Sequence, residues 1–141
     1  MPSNSALRLM NGAHRLGIKL SRGRLGWRAY GMPMLELTTT GRRSGEKRST
    51  MLSSPLQQGD TIVVVASRGG DDKHPAWFLN IEANPDVEVV LEGGDRRRMR
   101  GRPATAEERA ALWPRITREH RNYAGYQKKT AREIPLVLLE P

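Results

Sequence analysis

Four cations crowd one short stretch of this chain. In LTTTGRRSGEKRSTML, Leu37–Leu52, the side chains of Arg42, Arg43, Lys47 and Arg48 face a single acid, Glu46, and Gly41 and Gly45 frame the cluster. Glycines let a main chain approach a ligand closely, and arginine pairs bidentately with oxyanions. The stretch therefore reads either as a plain hairpin with a solvated basic tip or as a cradle for phosphate or carboxylate. A second stretch, VVASRGG, repeats the logic: an apolar run ends at Ala66, and Ser67 and Arg68 emerge before Gly69 and Gly70. It too has a plain reading, a glycine turn after a core strand. In a third, HPAWFLNIEANP, Trp77 and Phe78 are more typical of a core than of a cofactor platform. Asn80 needs partners, because an unpaired buried amide costs about 1–3 kcal/mol, and those partners are backbone or a ligand.

Other chemistries are missing. His14, His74 and His120 lie far apart without zinc-like spacing, and the chain has no cysteine, which removes disulfides and thiolate metal sites. There is no G-x-S-x-G elbow, Walker loop or G-x-G-x-x-G. An enzyme built from these residues would need an organic cofactor to carry the reaction.

The elements that must position these residues follow from pattern. The 141 residues suit one domain with one modest core, made mainly of Val, Leu, Ile and Met. Met34–Thr40 and Ser49–Ser54 read as strands flanking the basic turn, with a turn at Gln57–Asp60. Thr61–Ser67 reads as a central strand buried on both faces. A short helix is expected from Pro75 to about Ala83. Val87–Leu91 and Arg96–Ala104 read as a hairpin around Glu92–Asp95. The arginines at 96, 97, 98, 100 and 102 suit a solvated edge strand, since cationic edges discourage sheet pairing; nucleic-acid binding lacks the interleaved aromatics that stack bases. Thr105 and Glu108 form a capping box for a helix that Pro114 should kink or restart. Tyr123–Thr130 reads as a last helical turn or two, and Ile134–Glu140 as the final strand. Hairpins without crossover helices imply an α+β class, an antiparallel, barrel-like sheet of about six strands with short flanking helices.

The net charge is +9, which attracts polyanions such as nucleic acid, anionic lipid or a phosphorylated cofactor. Much of it sits in residues 1–30, where Arg8, Arg15, Lys19, Arg22, Arg24 and Arg28 meet no acid. This basic arm reads as a helix packed on a domain of residues 31–141, as a helix on an anionic membrane surface, or as a targeting segment. No apolar run approaches the ~18 residues of a membrane span, so a cytoplasmic location, or a peripheral one on the cytoplasmic face, is expected.

Four blocks, LTTTGRRSGEKR, VVVASRGGDDKHPAWFLNIEANPDVEV, ATAEERAALWPRI and YAGYQKKTAREIPLVLLEP, together resemble the deazaflavin-dependent nitroreductase family. The resemblance runs from about Leu35 to Pro141 and leaves the first thirty residues outside. It implies a split β-barrel oxidoreductase that takes hydride from reduced coenzyme F420 and passes it to a quinone or nitro compound. It further implies cofactor contacts from Arg42, Arg43 and Ser44; from Arg48, Ser49, Thr50, Met51, Leu52 and Ser53; from Ala66, Ser67, Arg68 and Gly69; from Trp77, Phe78, Leu79, Asn80 and Ile81; and from Tyr123. Ser67, Tyr123, Tyr126 and His120 would lie near the ring and the acceptor. Arg68 stands where the family often has Lys, Met51 where it often has Pro, and His120 where a well-known member type has Tyr. The rival readings are an FMN reductase on the same barrel and a non-catalytic module that carries a cofactor or binds an anionic surface.

Overall fold

The computed structural model describes residues 28, 29 and 31–141; the expected arm helix falls outside them. Eight strands form one antiparallel sheet. They are β1 Arg28–Ala29, β2 Met32–Thr40, β3 Lys47–Ser53, β4 Leu56–Gln58, β5 Thr61–Val65, β6 Asp86–Leu91, β7 Arg96–Pro103 and β8 Leu136–Glu140. The order is β1-β2-β6-β7-β8-β5-β4, with β3 also paired to β2. Six strands were expected, and all six are present. The two additional ones, β1 and β4, span two and three residues, too short for alternation to register in sequence.

β4, at one end of this path, is tied back to the β2 side because β3, which pairs with β2, and β4 are joined by only Ser54 and Pro55. Ser54 is fully buried and holds both sides. Its N–H donates to Pro33 O on β2 at 2.9 Å, and its hydroxyl donates to Val63 O on β5 at 2.6 Å. That clasp curls the sheet into a partly closed barrel.

Alternation along β5 then divides the core. Ile62 and Val64, with Ala66 beyond the strand, join Leu35, Leu37, Val89, Val137 and Leu139 in one cluster. Val63 and Val65 face the other way, onto Leu112, Ile116, Tyr123 and Ile134. Three helices cover these faces: α1 Ala76–Ala83 on the first, and α2 Ala106–Glu119 with α3 Arg121–Lys128 on the second. Burial on both faces, expected for the central strand, stabilises by about 1.5–3 kcal/mol per large aliphatic side chain.

Two local expectations need correction. β7 is no edge: it lies between β6 and β8, and three of its arginines meet acids from neighbouring elements. Arg96 reaches Glu36 and Glu88, Arg100 reaches Asp86, and Arg102 reaches Glu108 and Glu140. Pro114 does not interrupt α2, which runs through it. The carbonyl that Pro114 leaves without a donor belongs to Ala110, on the exposed face, where losing the bond costs least.

The capping box is present: Glu108 N donates to Thr105 Oγ1 at 3.1 Å, and Thr105 N to Glu108 Oε1 at 2.9 Å. Arg102 adds two bonds to the same carboxylate, at 2.7 and 2.8 Å. The Arg102 guanidinium, and after it the Thr105 N–H, hold the Glu108 carboxyl at about 2, below its ordinary 4.5. A depressed carboxyl stabilises the fold fully above its unfolded value and loses that contribution as pH falls towards the folded one. Glu108→Gln is therefore expected to lower the melting temperature at pH 7, with the gap to wild type closing between pH 4.5 and about 2. Thermal melts across that range check it; a gap independent of pH would refute the ion pair's role.

Candidate functional site

The basic turn between β2 and β3 is held from inside. Gly41 N donates to Glu46 O at 2.7 Å and Gly45 N to Gly41 O at 2.9 Å. A Cβ on Gly41 would stand 2.8 Å from Ser44 Oγ and 3.2 Å from Glu46 O, so a side chain here would have to displace the Ser44 hydroxyl and press on the Glu46 carbonyl. Asn80 of α1, 4 % exposed, ties the turn to the core. Its Oδ1 accepts from Arg42 N at 3.2 Å and from Arg42 Nη1 at 3.0 Å, while its Nδ2 donates to Thr39 Oγ1 at 3.0 Å. The partners that Asn80 required are thus main chain and side chains of the turn itself. Arg42, Arg43, Lys47 and Arg48 are exposed. Among the described residues their one ion pair, Arg48 with Glu46 at 3.2 Å, is solvated on both sides and adds little. The tip is a rigid loop that presents cations.

From that tip β3 runs roughly 17 Å, at about 3.3 Å per residue, from Arg48 to Ser53. A strand sends alternate side chains to opposite faces, so the six residues Arg48–Ser53 cannot all line one surface. Ser49 bonds Thr38 Oγ1 at 2.7 Å, and Met51 packs on Met34. Leu52 leans on the first core cluster, on the opposite face. At the far end the Ser53 hydroxyl lies 3.3 Å from Tyr123 Oη.

Ala66 to Asp71 form the second expected segment. Arg68, Gly69 and Gly70 all have positive φ, at 47°, 65° and 84°. A Cβ on Gly70 would come within 2.8 Å of Tyr126 O, so this glycine lets α3 close onto the loop. The Arg68 guanidinium, 10 % exposed, pairs with Asp71 at 3.3 Å.

The residue missed in sequence is Arg132, in the segment before β8. It donates to Asp71 O at 2.8 Å, Ser67 O at 2.9 Å and Ala66 O at 3.3 Å, and to His74 Nδ1 at 3.1 Å. A guanidinium only donates, so His74 accepts at Nδ1 and carries its proton on Nε2. Burial, then the charge of Arg132, pushes the His74 pKa down. TAREIP, where Arg132 sits, follows no motif that would have marked it.

On α3, Tyr123 is 5 % exposed; it packs in the second cluster and also approaches Met32 Sδ at 3.6 Å. Burial pushes its phenol above the ordinary value, which the Ser53 bond partly offsets. Tyr126 lies edge-on to Tyr123 at 6.1 Å, and His120 does so at 6.4 Å. Ser53, the Ser67–Gly70 loop, His120, Tyr123 and Tyr126 are thereby brought together at one end of β3, and Arg42, Arg43, Ser44 and Asn80 at the other. Trp77, Phe78 and Ile81 instead face the first core cluster, and Leu79 is half-buried against it. A groove of about 510 Å³ lies elsewhere, over β6 and β7 between Lys47, Glu88, Arg98 and Arg100. It contains none of the expected site residues, and its mixed charges offer no flat apolar wall for a ring.

The partly closed antiparallel sheet with α1 on one side and α2 and α3 on the other defines a split-barrel protein. A solved chain from Listeria innocua, described as a pyridoxamine 5′-phosphate oxidase, superposes with a TM-score of 0.53 at 11 % identity, covering 77 % of this chain and 82 % of that one; that likeness is of fold alone. Within the fold, the chain belongs to the F420H(2)-dependent quinone reductase family, whose profile matches residues 14–141. The match reaches back into the segment that the four motif blocks left outside. An F420H(2)-dependent quinone reductase of Mycobacterium tuberculosis is 38 % identical over 123 residues, 84 % of this chain and 81 % of that protein. A solved F420-H2 dependent reductase shares 39 % identity with a TM-score of 0.67, covering 77 % of this chain and 94 % of that one. A further solved chain, described as a domain-swapped dimer, shares 35 % identity with a TM-score of 0.69, covering 92 % and 96 %.

Proposed function

We propose that the chain reduces a quinone with hydride from reduced coenzyme F420, and that nitro compounds are alternative acceptors. Family membership over residues 14–141 carries the reading, and the residues present fit the cofactor's chemistry. Rigidly held, exposed cations at one end of β3 suit an anionic tail. The other end offers a glycine-rich loop, Ser67–Gly70, beside the aromatic α3. When bound, the cofactor supplies a hydride from C5 of its reduced ring, and one further proton completes the quinol.

The protein contributes placement and charge. Arg42, Arg43 and Arg48 bind the tail, with Asn80 fixing the turn that carries them. The Ser67–Gly69 segment holds the ring end, and His120 and Tyr126 flank the acceptor. Tyr123, buried with its phenol pushed up, donates a hydrogen bond more readily than a proton. We assign the second proton to solvent.

The test is a titration of the full chain with oxidised F420 and with FMN, followed by anaerobic reoxidation of F420H2 by a menadione-type quinone. Saturable F420 binding with quinone-dependent turnover is expected; binding of FMN in preference would return the reading to a flavin reductase. Peripheral membrane contact through residues 1–30 is a separate part of the proposal, motivated by their six cations and no acid. Among the described residues no helix is long and apolar enough to cross a membrane. Co-sedimentation with anionic but not neutral vesicles is expected, and equal partitioning to both would remove the electrostatic contact.

A further inference from the structure

The half-buried Arg132 guanidinium is turned onto the Ala66–Asp71 loop. Its bonds to Ala66 O, Ser67 O and Asp71 O, with His74 Nδ1 as a further acceptor, use it as a plug around which the loop is wound. The same segment grips the loop a second time, where Ala66 N donates to Pro135 O at 2.9 Å. Without such a plug three carbonyls would crowd together in a half-buried place, and Arg68 at φ 47° would be held only by its pair with Asp71 and the turn's own bonds, Gly70 N to Ser67 O and Asp71 N to Arg68 O.

Peptide planarity turns this into a statement about donors. No peptide bond among the described residues is cis, so each carbonyl and the N–H of the following residue point in opposite directions. With Ala66 O and Ser67 O on the guanidinium, the N–H groups of Ser67 and Arg68 point away from it. Ser67 is right-handed at φ −79°, ψ −36°, and Arg68 and Gly69 follow at positive φ. That succession curves neighbouring N–H groups into an anion-binding concavity. Ser67 is 8 % exposed, and neither its N–H nor that of Arg68 donates to any described residue. Buried N–H groups without acceptors are rare in folded proteins, and a donor whose peptide carbonyl already accepts from a cation is a strengthened one.

We infer that Arg132 is a positioning residue, shaping the Ala66–Asp71 loop so that the Ser67 and Arg68 N–H groups converge on an oxygen bearing negative charge. This rests on the proposed deazaflavin reading, in which that oxygen belongs to the ring or to the acceptor as it gains hydride. Preorganised donors of this kind act where charge develops. Lysine cannot replace the arginine, because an ammonium lacks the planar fork that spans several carbonyls at once.

The test uses the full chain, isotopically labelled, with oxidised coenzyme F420 as the probe. In the wild type, the amide protons of Ser67 and Arg68 are expected to move downfield on saturation. In Arg132→Lys that movement is expected to shrink, with F420 binding weakened roughly 3- to 10-fold, equivalent to about 0.7–1.4 kcal/mol, when measured well below the variant's melting temperature. Turnover number is expected to fall by more than KM rises. If the wild type binds and turns over while the two amides stay put, or if Arg132→Lys binds and turns over as the wild type does, the inference is wrong and the functional reading stands. If the wild type binds no F420, both fall. Should Arg132→Lys fail to fold, the wild-type amide shifts alone decide.

Discussion

Replacing Arg42 and Arg43 together with alanine is expected to weaken F420 binding by about 10-fold or more at low salt, using 1.4 kcal/mol per decade and the 1.5–3 kcal/mol of a charge-assisted hydrogen bond. Both side chains are exposed, and the turn is closed by main-chain bonds between Gly41, Gly45 and Glu46. Asn80 Oδ1 loses the Arg42 Nη1 bond but keeps that from Arg42 N, so the melting temperature should fall only modestly. Salt supplies the internal control. The wild-type contact is screened as ionic strength rises, so the two affinities should converge. Turnover at saturating cofactor should be nearly unchanged, because the arginines sit roughly 17 Å of strand away from the Ser53–Tyr123 end. An affinity equal to wild type in 20 mM salt would return this turn to the solvated hairpin that its composition also allowed.

Asn80→Ala is expected to damage stability and binding together. The side chain serves two donors and one acceptor within the core-facing side of the turn. Truncation leaves Arg42 N and Thr39 Oγ1 without their partner, at about 1–3 kcal/mol for a buried group. For a domain of this size, 2 kcal/mol corresponds to a fall of roughly 8 °C in melting temperature. Asn80→Asp separates the two effects. A carboxylate still accepts from Arg42, and Thr39 can turn its hydroxyl to donate, so most of the stability should return. Its negative charge, however, competes with the ligand for Arg42, so F420 affinity should stay low. Thermal melts beside F420 titrations of the two variants provide the comparison. If Asn80→Asp binds as tightly as wild type, Arg42 does not serve the ligand.

Much of this protein is legible in its residues because the signals are local. Alternation, apolar runs and turn residues mark six of the strands, the Thr105–Glu108 spacing sets the start of α2, and two glycines among four cations announce the tight basic turn. Four ordered motif blocks also suffice to recognise the family. Each depends on neighbours a few residues apart, which a single sequence displays directly.

Only the tertiary structure decided the rest. The arginines of β7 look like an edge, yet strand order makes β7 central, and acids from β2, β6, β8 and α2 lie within reach only after the sheet forms. Asn80 needed a partner that stands thirty-eight residues away. Ser54, an ordinary serine in sequence, becomes the clasp of the barrel because it links β3, paired to β2, with β4 at the far end of one curled sheet. Arg132 meets Ala66 across sixty-six residues, and nothing in TAREIP announces it. Residue types and short spacings determine which chemistry this chain carries. Which side chains face one another is set by long-range pairing of strands, whose register depends on burying both faces of β5 at once.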